Sequence, residues 1–133
     1  MLYVIAYILS LLPFRILFAV SDVLAWLACD VVRYRRSAVR GNLESSFPEK
    51  SREEIRKIEK RFYRFLCDYF METLKLASMS EKKMRRHLKV ENIEEINDAV
   101  EKGQSVTLYL GHYCNWEWVS SLPLHISSAA RCA

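Results

Sequence analysis

The sequence predicts an α/β protein in which a helical N-terminal membrane anchor and amphipathic helices lead into the first strands of a sheet. Three observations predict it. Residues 1–32 are overwhelmingly apolar, contain no glycine and are interrupted only by Pro13, Arg15, Asp22 and Asp30. From Ile55 to Ala77 apolar residues recur at three- and four-residue steps, the period of a helix with one buried face. From Ser105 to Leu110 a β-branched and aromatic run stands between Gly103 and Gly111, as a short strand would.

The first segment reads as a membrane anchor over residues 1–32. A spanning helix wants about 20 apolar residues, and the longest uncharged run ends at Phe14. An inserted helix, an interfacial helix and a buried helix of a soluble domain therefore compete. At helical spacing Arg15, Asp22 and Arg33 share one stripe with Asp30 beside it. Trp26, the N-terminal tyrosines and the arginines that follow favour membrane contact. A secretory signal is the poor reading, because no basic stretch follows Met1 and no small-residue cleavage site follows a short apolar core.

Residues 33–50 form a basic collar and linker. Arg33, Arg35, Arg36 and Arg40 are candidates for membrane or headgroup contact, and they set the remainder of the chain on the cytoplasmic side of the cytoplasmic membrane. The same cluster serves equally as a topology signal alone. The net charge of +4 is mild and owes much to this collar, so no nucleic-acid partner is expected.

Residues 51–133 form the remaining domain. Ser51 and Glu54 make a capping box before a helix from about Arg52 to Ala77, whose inner face is Ile55, Ile58, Phe62, Phe65, Leu66, Tyr69, Phe70 and Leu74. Arg56, Lys60, Arg64, Asp68 and Lys75 read as its solvated side. The aromatic stretch is either plain core or an acyl-chain groove. Ser80 caps a short basic helix with Met84 and Leu88 inward; its lysines and arginines are a solvated face or a surface for an acidic protein. Asn92 and Glu95 open another helix with Ile93, Ile96 and Val100 inward, ended by Gly103 in the left-handed conformation. A last helix starts after Asn115 and runs until Pro123 disturbs it.

His112 and Glu117 are the candidate catalytic pair. On one continuous helix their side chains would point apart by roughly 140°, so they meet only if the chain bends between them. Gly111 and the N-cap Asn115 provide that bend, with Glu117 in the first helical turn. The carboxylate would then accept the imidazole Nδ1–H and leave Nε2 to take a proton from a hydroxyl. With three histidines and 16 acids in the chain, chance alone yields about 0.4 such pairs. Context, not spacing, carries the signal.

The block Gly111-His112-Tyr113-Cys114-Asn115-Trp116-Glu117 resembles the glycine, histidine, aromatic, glycine, Asn-Trp-Glu block of the bacterial lipid A biosynthesis acyltransferases. Arg40, Asn42, Leu43, Phe47-Pro48 and Glu72 match further family positions in order. The resemblance implies an incomplete acyltransferase-type mixed sheet and acyl transfer from a thioester, with acyl carrier protein the usual donor, to a hydroxyl of a lipid A precursor or lysophospholipid-like acceptor. It also implies that no metal or organic cofactor takes part. His112 would be the base, Glu117 its partner, and Asn115 and Trp116 substrate contacts. Cys114 departs from the pattern, which has glycine there, so a positive φ would be strained. The family places a basic group for the oxyanion well beyond the equivalent of residue 133, and the chain reads as the N-terminal part of a longer enzyme.

Three other readings remain open. Cys114 beside His112 would make a nucleophile. His112, Cys114 and Glu117 would make a metal site of unfamiliar geometry. A non-catalytic, membrane-anchored interaction module or inactive fragment would use the same His and Glu to support a strand end. His125 reads as structural. Cys29, Cys67, Cys114 and Cys132 lack the spacing of a zinc ribbon and fit reduced cytoplasmic thiols.

Overall fold

The computed structural model describes residues 2–126. The chain divides into two compact units, residues 1–75 and residues 76–133. Cys132 lies outside the described residues.

The first unit holds four helices. α1 (Leu2–Ser10) and α2 (Phe14–Trp26) are separated at Pro13, and α2 runs into a π-helical segment, Leu27–Val31. α3 (Arg36–Ser46) and the long α4 (Arg52–Leu76) follow. The expected anchor is thereby corrected: no helix among the described residues is long and apolar enough to cross a membrane. The physical cause is Pro13, which has no N–H to continue α1 and instead starts α2. The carbonyls stranded at the break are taken up by Lys75, whose Nζ donates to the Ser10 carbonyl at 2.7 Å and the Leu12 carbonyl at 2.8 Å. A buried cation at a helix C-terminus is favoured by the dipole as well as by the hydrogen bonds.

α4 starts where the capping box requires. The Ser51 backbone N–H donates to Glu54 Oε2 at 2.9 Å, and the Glu54 N–H donates to Ser51 Oγ at 3.3 Å. Those donors, the backbone N–H first, lower the Glu54 carboxyl below its usual range. The packed face of α4 is not the one that apolar periodicity selects. Ile55, Glu59, Tyr63 and Lys75 are buried, whereas Phe62, Phe65 and Phe70 are exposed. The partner surface explains the rotation. α2 and the π segment bury Leu17, Ser21, Ala25 and Cys29 at four-residue steps, a face small enough for close approach and partly polar. Ala25, Cys29 and Tyr63 form a cluster with Ala28, Val39 and Cys67 against it. Ser21 Oγ donates to Asp68 Oδ1 at 2.6 Å, so Asp68, like Lys75, leaves the expected solvated side.

The second unit contains α5 (Glu81–His87), α6 (Ile93–Glu101) and a 3₁₀ segment, Trp116–Leu124. Met84 is buried as expected and the basic residues of α5 are exposed. α6 ends in a Schellman motif: Gly103 has φ +72°, its N–H reaches the Val100 carbonyl at 2.9 Å, and the Gln104 N–H reaches the Ala99 carbonyl at 2.9 Å. Pro123 does not end the last helix, because its fixed φ suits 3₁₀ geometry.

The expected α/β fold is contradicted. The described residues are 70% helical, with no strand or sheet among them. Val106, Leu108, Tyr109 and Leu110 are all exposed, with Tyr109 at 93%. A β-rich run becomes a strand only when another strand satisfies its backbone groups, and no other described segment offers that pairing.

Candidate functional site

In the second unit the candidate site is a bend followed by the 3₁₀ segment. The Tyr113 N–H closes on the Gly111 carbonyl at 2.9 Å, a γ-turn centred on His112. Cys114 follows with φ +50°, the left-handed conformation that glycine occupies without strain. Asn115 occupies the N-cap and Glu117 lies in the first turn, both as expected from the sequence. His112 and Tyr113 are exposed, while Asn115, Trp116 and Glu117 are half-buried.

The bend brings His112 onto Trp116, with ring centroids 4.4 Å apart in an edge-on arrangement of 63°. Glu117, one residue on, takes part in an interaction of its own. The structure therefore unites His112 with one candidate substrate contact and holds the acid in the adjacent turn. Trp118, in the same segment, meets the His87 ring of α5 at 6.0 Å. The described residues contain no cluster of three metal-ligating side chains.

The four collar arginines are brought together in the first unit, where Arg33, Arg35, Arg36 and Arg40 line one open cleft with Ser37. Two of them are committed. Arg36 Nε donates to Glu59 Oε1 at 2.6 Å, and Arg40 Nη2 donates to Glu59 Oε2 at 2.6 Å. Burial alone would push the Glu59 carboxyl up, but the hydrogen bonds from Arg40 and Arg36 outweigh it and hold the carboxyl below its usual range. The Arg36 guanidinium is raised, chiefly by its hydrogen bond to Glu59. The collar is thus partly a structural clamp, made by Arg36 and Arg40. Glu59 was invisible to periodicity because it interrupts the apolar pattern, although Arg36 and Arg40 at helical spacing were a signal for a buried acid. Cys29 and Cys67 are free thiols raised above the ordinary range, primarily by burial. Burial keeps both in the unreactive thiol form.

A family model described as bacterial lipid A biosynthesis acyltransferase matches residues 1–124. The chain belongs to the bacterial lipid A biosynthesis acyltransferase family. Membership carries a general acyltransferase function, with an acyl donor and a lipid acceptor. Neither the curated proteins nor the solved structures gave a match. The block from Gly111 to Glu117 lies inside the matched residues, and here it forms one continuous bend.

Proposed function

We propose that the protein transfers a fatty acyl group from a thioester, carried by acyl carrier protein, to a hydroxyl of a lipid A precursor, with His112 as general base. Family membership supplies the reaction class. The observation that carries the assignment is an exposed imidazole at a γ-turn, braced by Trp116 and one helical turn from an acid.

In this reading Nε2 of His112 takes the proton of the acceptor hydroxyl as its oxygen attacks the thioester carbonyl carbon. The tetrahedral intermediate collapses with cleavage of the C–S bond, and the leaving thiolate takes a proton back from the imidazolium. One ester forms, one thiol is released, and no electrons change hands. Glu117 accepts the Nδ1–H in the reacting complex and stabilises the imidazolium; such hydrogen bonds often close only with substrate present. Asn115 and Trp116 contact substrate. Arg33 and Arg35 meet anionic headgroups, which holds the protein at the cytoplasmic face of the membrane.

The competing reading, a non-catalytic interaction module, is favoured by the packing of the His112 ring on Trp116, which makes the imidazole a structural support. The protein expressed from its gene, supplied with acyl carrier protein thioester and lipid A precursor, separates the two. Acylated lipid and free thiol in equal amounts are expected. No acylated product in a folded, lipid-bound protein would leave the module.

A further inference from the structure

A second site lies beside the collar cleft in the first unit. α3 and α4 enclose a groove of about 590 Å³, within the roughly 300–1,000 Å³ usual for small-molecule sites. Its floor is Val39, Tyr63 and Leu66, and its walls include Tyr34, Phe62 and Phe70. Phe62 and Phe70 are exposed at 38% and 57%, although they stand on the face that apolar periodicity marks for burial. Tyr34 is fixed at the mouth: its N–H reaches the Ala28 carbonyl at 2.9 Å, and its own carbonyl accepts the Tyr63 hydroxyl at 2.5 Å.

Arg35 belongs both to this groove and to the adjoining cationic cleft of about 570 Å³. In that cleft Arg36 and Arg40 are neutralised in part by Glu59. Arg33 and Arg35 have no carboxylate within ion-pair distance among the described residues. Both sit in the left-handed conformation, with φ +56° and +49°, around Tyr34. An apolar trough thus opens directly onto two uncompensated guanidinium groups and the Ser37 hydroxyl.

The geometry points to a binding site for one anionic membrane phospholipid, its acyl chain in the α3–α4 groove and its phosphate at Arg33, Arg35 and Ser37. Charge complementarity selects the headgroup, since guanidinium groups bind phosphate oxygens in bidentate fashion. The apolar groove selects a lipid over a free anion or a nucleic acid. The inference rests on the reading of the collar as a headgroup contact and not on the chemistry proposed for His112. A binding readout therefore separates the two.

The test measures binding of the full chain to lysophosphatidic acid, lysophosphatidylcholine of the same chain length and inorganic phosphate, by calorimetry. Lysophosphatidic acid is expected to bind best. The variant R33Q/R35Q should weaken it by roughly tenfold or more, given the attraction each basic residue exerts near an anionic surface. The variant F70E should weaken it comparably through the groove. K82Q/K83Q removes the same charge from α5 and should change affinity by less than about twofold. All five positions are exposed, so these variants retain the fold, which circular dichroism verifies. Equal binding of the phosphocholine lipid, equal binding of inorganic phosphate, or an equal loss in K82Q/K83Q would each overturn the assignment.

Discussion

The clamp at Glu59 is where the first unit is most exposed to a single change. Its side chain is 0% solvent-accessible, while those of Arg36 and Arg40 are 19% and 41% accessible. Glu59→Gln removes the charge, keeps the shape, and leaves two guanidinium groups facing one amide oxygen. Breaking a buried pair from one side costs about 3–5 kcal/mol. Arg40 is open enough to be rehydrated, so its share is discounted to the roughly 0–1 kcal/mol of a surface pair. About 2–4 kcal/mol remains, mostly from the 2.6 Å Arg36 bond and the orphaned burial of its guanidinium. For a unit of this size each kcal/mol shifts Tm by about 4–8 °C. Urea unfolding followed by circular dichroism checks it. Replacing all three charges, as in R36L/R40L/E59M, should recover most of the loss, because an apolar trio needs no desolvation. A Glu59→Gln protein within about 0.5 kcal/mol of the parent would refute the reasoning, since surface changes alone reach that level.

The remaining predictions follow from the same contacts. Because the Glu59 carboxyl is held below its usual range, its contribution is fully present above the unfolded value of about 4.3 and is lost as pH falls through the lower folded value. Stability measured against pH should therefore fall on the acid side below that point, and less so in Glu59→Gln. Gly103→Ala should destabilise the protein by about 1 kcal/mol through backbone strain alone, since an added Cβ would meet nothing within 4 Å. Cys114→Gly should stabilise it by about 0.5 kcal/mol, the relief of a left-handed residue less the entropy of glycine, with acyl transfer retained; loss of transfer would point to sulfur as the nucleophile.

What the sequence disclosed follows from how far each signal reaches along the chain. The Ser51–Glu54 capping box and the left-handed Gly103 were legible because each is settled within a few residues. The start of α4 and the bend from Gly111 to Asn115 were legible for the same reason. The packed face of α4 was not, because periodicity shows that a face is apolar and not what it meets; Ser21, the carbonyls at Pro13 and the two collar arginines drew Glu59, Asp68 and Lys75 inward instead. The run Val106–Leu110 has strand composition, yet strand formation depends on a partner elsewhere in the chain. At the candidate site, the order of residues disclosed the turn and the helical start. It did not disclose that the His112 ring would rest on Trp116.

The proton-transfer role of His112 is tested most directly by the acyl-transfer rate of His112→Ala, in the protein expressed from its gene, beside the parent and with circular dichroism matched. General-base catalysis of this kind contributes about 10²–10⁴-fold, so the rate should fall by that factor while lipid binding stays intact. A His112→Ala protein that acylates lipid at the parental rate would contradict the account.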